Sequence, residues 1–169
     1  LLNDQAIAAQ YLINQKKCHK ILIVDLDVHQ GNGTAEIFQN NADVITFSMH
    51  GQSNYPFRKE TSDYDIALPD KTDDTTYLSI LQETLPELLN IHRPDFAFYL
   101  AGVDILGTDK LGKLGCTLEG CKARDSYVLG LCKSLGIPVQ VSMGGGYSPA
   151  IKTIIEAHAN TYRVARALY

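Results

Sequence analysis

The sequence predicts a three-layer α/β/α domain built on a mainly parallel sheet. Short apolar, β-branched runs alternate along the chain with longer stretches of helical periodicity. The runs are apolar at successive positions rather than at every second one, as in strands buried on both faces. A length of 169 residues fits one domain, and 45% hydrophobic with 20% charged residues is ordinary for a folded one.

Residues 4–17 carry Ile7, Ala8, Tyr11 and Leu12 at helical spacing, with Asp4 as the expected cap. Ile21-Leu22-Ile23-Val24 reads as the first buried strand. A short helix is expected over 34–40, a second strand over 43–49 and a polar loop over 53–61. Residues 64–68 suit a short strand closed by Pro69. Over 74–91, Leu78, Leu81, Leu85, Leu88 and Leu89 share one helical face, with a kink expected at Pro86. A third strand follows over 95–100, then a helix over 117–135 that starts near Thr117 and Gly120. The fourth strand spans 138–142. The last helix, 148–169, has Ser148 as its expected cap and Pro149 at its first position.

The net charge of −4 lacks the basic excess of a nucleic-acid binder, so none is expected as a direct partner. No run approaches the ~18 apolar residues of a membrane span. No secretory signal pattern is visible either, so the expected location is the cytoplasm, with the nucleus as the alternative in a eukaryotic cell. Cys18, Cys116, Cys121 and Cys132 form no C-x-x-C pair and read as free thiols of a reducing compartment.

In parallel sheets, ligands sit beyond the carboxyl ends of the strands. Those ends carry Asp25-Leu26-Asp27-Val28-His29-Gln30-Gly31-Asn32-Gly33, then Ser48-Met49-His50, Ala101-Gly102-Val103-Asp104 and Gly144-Gly145-Gly146-Tyr147. Asp25, Asp27 and His29 alternate, which on an extended backbone puts them on one face. Asp27, His29 and Asp104 offer two oxygens and one nitrogen. That set suits Zn²⁺ or Fe²⁺ with an open position better than Mg²⁺, which prefers an all-oxygen shell. Asp25-Leu26-Asp27 also fits an Asp-x-Asp that holds Mn²⁺ and a nucleotide-sugar diphosphate, a reading that leaves His29 and Tyr147 unused. The triple glycine lacks the spacing and the Lys-Ser/Thr of a phosphate loop. It reads as a turn that lets Tyr147 lean toward the site. His19, His50, His92 and His158 read as structural or surface residues, and Asp109 as a turn former.

Taken in order, these motifs resemble the histone deacetylase family of the arginase–deacetylase fold. His29-Gln30-Gly31-Asn32-Gly33 is similar to the class IV type and its bacterial relatives. Leu111-Gly112-Lys113-Leu114-Gly115, Thr117-Leu118-Glu119-Gly120 and Arg124-Asp125 also fit. The resemblance implies zinc-dependent hydrolysis of acyl-lysine amides, on a protein such as a histone or, alternatively, on an acetylated small amine such as an acetylpolyamine. It implies Asp27, His29 and Asp104 as zinc ligands and Tyr147 as the group that polarises the acyl carbonyl. Asp25 then supports a catalytic histidine pair. A structural K⁺ is implied among Asp25, Asp27, His29, Ser48 and Met49, and a second monovalent cation among Phe38, Asn41, Val44 and Tyr64. Tyr55, Leu111 and Gly145 are implied along the substrate channel. The family's adjacent His-His pair occurs nowhere in these residues. The family's domain is about twice this length, so 1–169 is expected to be the C-terminal part of a deacetylase catalytic domain, inactive by itself. A binding module that keeps the pocket without the pair is the non-enzymatic alternative.

Overall fold

The computed structural model describes residues 2–169. Its strands are β1 (Ile21–Asp25), β2 (Val44–Gly51), β3 (Tyr64–Leu68), β4 (Phe96–Gly102) and β5 (Val139–Gly144). Its helices are α1 (Asp4–Asn14), α2 (Asn32–Phe38), α3 (Asp74–His92), α4 (Leu118–Ser134) and α5 (Ile151–Leu168). The strands form one sheet in the order β3-β2-β1-β4-β5, with every pairing parallel.

Central β1 is buried at every position, and its side chains alternate between two cores. Leu22 and Val24 pack in a core with Leu81, Leu85 and Leu88 of α3, Val128 and Leu129 of α4, and Ala157 and Val164 of α5. Ile21 and Ile23 pack on the opposite side with Ala6 and Ala9 of α1 and Phe38 of α2. Two cores on one sheet make the three layers that the apolar runs predict. No helix among the described residues is long and apolar enough to cross a membrane, and all four cysteines are free and buried.

Two helix starts are corrected, and one helix continues past its proline. Asn3, not Asp4, caps α1: its Oδ1 accepts from the Ala6 N–H at 3.0 Å. Helix α3 runs through Pro86 to His92. The Gln82 carbonyl, which a proline four residues on leaves without its helical donor, accepts from the Tyr127 hydroxyl at 3.3 Å. Helix α5 starts at Ile151 rather than near Ser148, because the Ser148 hydroxyl is bonded to Thr108 Oγ1 at 2.8 Å instead of capping. β3 ends at Leu68 as expected, but the other four strands run one or two residues further at their carboxyl ends than the apolar runs suggest. The register sets Asp25 beside Ser48 and Leu100, and Gly102 beside Gly144. The polar strand ends therefore share one edge.

Candidate metal centre

Past Asp25 the chain leaves the sheet, and its first turn is bonded to β4 and to the loop after it. The Leu26 N–H donates to the Leu100 carbonyl at 3.1 Å, and the Val28 N–H to Asp104 Oδ1 at 3.0 Å. These bonds bring Asp27, His29 and Asp104 together. His29 Nδ1 lies 3.0 Å from Asp27 Oδ1 and 3.3 Å from Asp104 Oδ2. One donor atom from each residue falls within 4.8 Å of the others.

The electrostatics are lopsided. Hydrogen bonds to Asp104 and then Asp27 push the His29 imidazolium up to about 10. Burial, opposed by the bond to His29, and then the Asp27 charge raise the Asp104 carboxyl. Burial, then Asp27, raises Asp25 well above the usual carboxylate range.

Asp25 is not part of the converging set. The extended backbone ends at Asp25, so the alternation expected through His29 does not persist. Asp25 lies behind the set, where its Oδ1 accepts from the Asp27 N–H at 3.1 Å. The Asp27 and Asp104 carboxylates face bare backbone. A Cβ on Gly102 would come within 2.6 Å of Asp27 Oδ2, and one on Gly145 would overlap the Asp104 carboxylate. Gly145 also has φ +61°, and Gly146 φ +117°.

Beneath the site, Arg124 is fully buried and donates through Nη1 to the Leu26 carbonyl at 3.1 Å and the Gly102 carbonyl at 2.6 Å. It thereby fixes the backbone next to Asp27 and close before Asp104. Asp125 holds Arg124 from Nε and Nη2 and also accepts from the Tyr99 and Thr161 hydroxyls. The Arg-Asp pair is visible in the sequence, but its position under two strand ends is not.

The rim is built from loops. Tyr147 is 61% exposed, and Tyr55 and Leu111 are also exposed. Buried Asn54 donates to the Leu111 carbonyl at 2.8 Å and accepts from the Lys113 N–H at 3.2 Å, which ties the Tyr55 loop to the Leu111 loop. Asp109 forms the turn expected of it, since its Oδ1 accepts from the Leu111 and Gly112 N–H groups at 2.8 Å each. Its Oδ2 accepts from the Tyr147 N–H, a contact across 38 residues that no local pattern signals.

Ser48 and Met49 are buried on β2. Ser48 Oγ lies 3.0 Å from Nδ1 of His50, which is buried. Burial lowers the His50 imidazolium. Phe38, Asn41 and Val44 form one turn, closed by the Asn41 N–H on the Phe38 carbonyl and by Asn41 Oδ1 on the Val44 N–H. Tyr64 lies beside Phe47 in the sheet, with its hydroxyl 2.8 Å from His92 Nε2.

Fold and site together define a parallel α/β domain with a cluster of metal-ligand type at its carboxyl edge. The family model described as the histone deacetylase domain matches residues 1–162, and the chain belongs to that family. It is 46% identical to an uncharacterized protein of Picosynechococcus sp., over all of this chain and 56% of that protein. It is 31% identical to the acetoin utilization protein AcuC of Staphylococcus aureus, over 86% of this chain and 40% of that protein. Among solved structures, an acetylpolyamine aminohydrolase from Burkholderia pseudomallei superposes with a TM-score of 0.79 at 26% identity, covering 99% of this chain and 50% of that one. The chain thus spans about half the length of these relatives or less.

Proposed function

We propose that this chain is the metal-holding part of a deacylase that hydrolyses the amide of an acylated primary amine, either a protein lysine or a small amine. The convergence of Asp27, His29 and Asp104 within 4.8 Å, in a chain of the histone deacetylase family, carries this reading. Two carboxylates and an imidazole fit Zn²⁺, and Fe²⁺ next. Bound there, the ion supplies Lewis acidity toward a carbonyl and makes a water nucleophilic near neutral pH.

The remaining roles belong to side chains. Tyr147 donates its hydroxyl to the carbonyl oxygen as negative charge develops, an interaction worth about 3–4 kcal/mol. Gly145 lets the backbone pass close to Asp104, and Tyr55 and Leu111 border the path of the acylated stem. Asp25 holds the Asp27 backbone from behind and serves the proton-transfer groups. A monovalent cation, K⁺ by preference, suits the oxygens of the 25–29 segment beside Ser48 and Met49. A second suits the turn of Phe38, Asn41 and Val44 near the start of β3 at Tyr64. Neither a nucleic acid nor a membrane is part of this reading, which fits a cytoplasmic or nuclear enzyme.

Proton transfer needs groups beyond these. His50 is buried against Ser48, and the chain has no adjacent histidine pair. Positioned acids and bases contribute about 10²–10⁴-fold, so residues 1–169 by themselves should hold zinc and turn over slowly.

The deciding experiment is zinc analysis of the full-length protein with hydrolysis assays on an acetyl-lysine peptide and an acetylated diamine. Bound zinc that is lost in His29→Ala is expected, as is a Tyr147→Phe variant that keeps zinc but turns over about 10²-fold more slowly. Equal hydrolysis by zinc-free protein would sink the metal reading. Unchanged turnover in Tyr147→Phe would remove Tyr147 from the chemistry.

A further inference from the structure

The backbone that carries Tyr147 has little of its own to hold it. Strand β5 ends at Gly144, helix α5 begins at Ile151, and two left-handed glycines lie just before Tyr147. Two adjacent residues of the loop after Asp104 tether this segment. Thr108 Oγ1 meets Ser148 Oγ at 2.8 Å, and Asp109 Oδ2 takes the Tyr147 N–H. The other Asp109 oxygen holds the Leu111–Gly112 turn, and Asn54 holds the Leu111 carbonyl from the Tyr55 loop. One carboxylate therefore joins the tyrosine to the rim residues.

We propose that Asp109 is a positioning residue. It fixes Tyr147 relative to the Leu111 rim, so that the placement of the acylated stem and the aim of the tyrosine hydroxyl are set together. This rests on the reading of Tyr147 given above. Without the tether, rotation about Gly145 and Gly146 swings the hydroxyl, and small misplacements of a reacting group are costly in rate.

The informative variant is Asp109→Asn. The amide oxygen still accepts from Leu111 and Gly112, but the NH₂ faces the Tyr147 N–H, and two donors cannot pair. In the full-length, zinc-loaded protein, Asp109→Asn should lower kcat about tenfold, while KM for an acetyl-lysine peptide moves by less than about twofold. In the Tyr147→Phe background the same change should cost nothing further, because there is no hydroxyl left to aim. Hydrogen–deuterium exchange over 144–149 should quicken in Asp109→Asn, while 21–29 stays as in the parent.

An equal loss of kcat with and without the Tyr147 hydroxyl would overturn the proposal and make Asp109 a general support of the fold. Unchanged exchange over 144–149 would also overturn it. A Tyr147→Phe variant with parental kcat would instead bring down the catalytic reading of Tyr147, while the exchange experiment still decides whether Asp109 holds the loop.

Discussion

Two charged clusters meet at the carboxyl edge of the sheet, and they are completed in different ways. Arg124 and Asp125 are fully buried, and both Asp125 oxygens have donors: Arg124 and Tyr99 on one, Thr161 on the other. Its charge closes to zero within the chain. On the far side of the Leu26 and Gly102 carbonyls, Asp25, Asp27 and Asp104 set three carboxylates against one imidazole. Like charges at close range raise one another's pKa and destabilise the ionised site. The balanced cluster is a structural joint. The unbalanced one has more carboxylates than its imidazole can pair, an excess that the proposed metal would offset.

Breaking the balanced cluster should have the largest effect. Arg124→Met leaves the Asp125 carboxylate buried without its cation and two backbone carbonyls without their donor, and should cost about 3–5 kcal/mol in urea unfolding. A loss below about 1 kcal/mol would show that the Tyr99 and Thr161 hydroxyls satisfy Asp125 unaided.

The open cluster should reveal itself through pH. With His29 held up to about 10, a metal must displace its proton throughout the neutral range. Competition with a chelator should show apparent zinc affinity rising about tenfold per pH unit from pH 6 to 8. A flat profile would mean that Nδ1 already lies free.

The stability of the metal-free protein should run the opposite way. The imidazolium is raised above its ordinary value, so its contribution is complete below about pH 6.5 and is lost as pH climbs toward 10. The raised carboxyls of Asp25 and Asp104 act in the same direction, since the folded state holds their protons longer than the unfolded chain does. The Tm of the zinc-free protein should therefore fall between pH 6.5 and 9, and added zinc should flatten the trend.

The smallest effect concerns Asp25. Asp25→Asn keeps an acceptor for the Asp27 N–H and removes a carboxyl whose ionised form burial and the Asp27 charge disfavour. It should raise the zinc-free Tm by about 2–5 °C, and a decrease would mean that the charge is already compensated.

The convergence of three side chains at one edge was legible in the sequence because it depends on chain geometry near strand ends. An acid or histidine just past a buried parallel strand has one edge to occupy, and Asp27, His29 and Asp104 meet there. Asp25 was legible as an acid at that edge, but not as the residue behind it, since only the hydrogen bonds past β1 show where extension stops. The links made by Asn54, Asp109 and Ser148 were not legible. Each is an ordinary turn residue whose partner lies tens of positions away, and nothing local distinguishes such a residue from one that bonds only its neighbours. The same blindness displaced the start of α5, because Ser148 has the composition of a cap and spends its hydroxyl elsewhere.

The glycines that face the Asp27 and Asp104 carboxylates bear on which ion the proposed site would take. A pocket walled by side chains changes its bore when a rotamer flips. Here the walls at Gly102, Gly144 and Gly145 are main chain, at the ends of two hydrogen-bonded strands and just beyond. If an ion binds there as proposed, no swinging methyl group could admit a larger one; β4 and β5 would have to part. The sheet itself is the gauge, and an alanine at Gly102 or Gly145 would shift that gauge while leaving every ligand in the sequence intact.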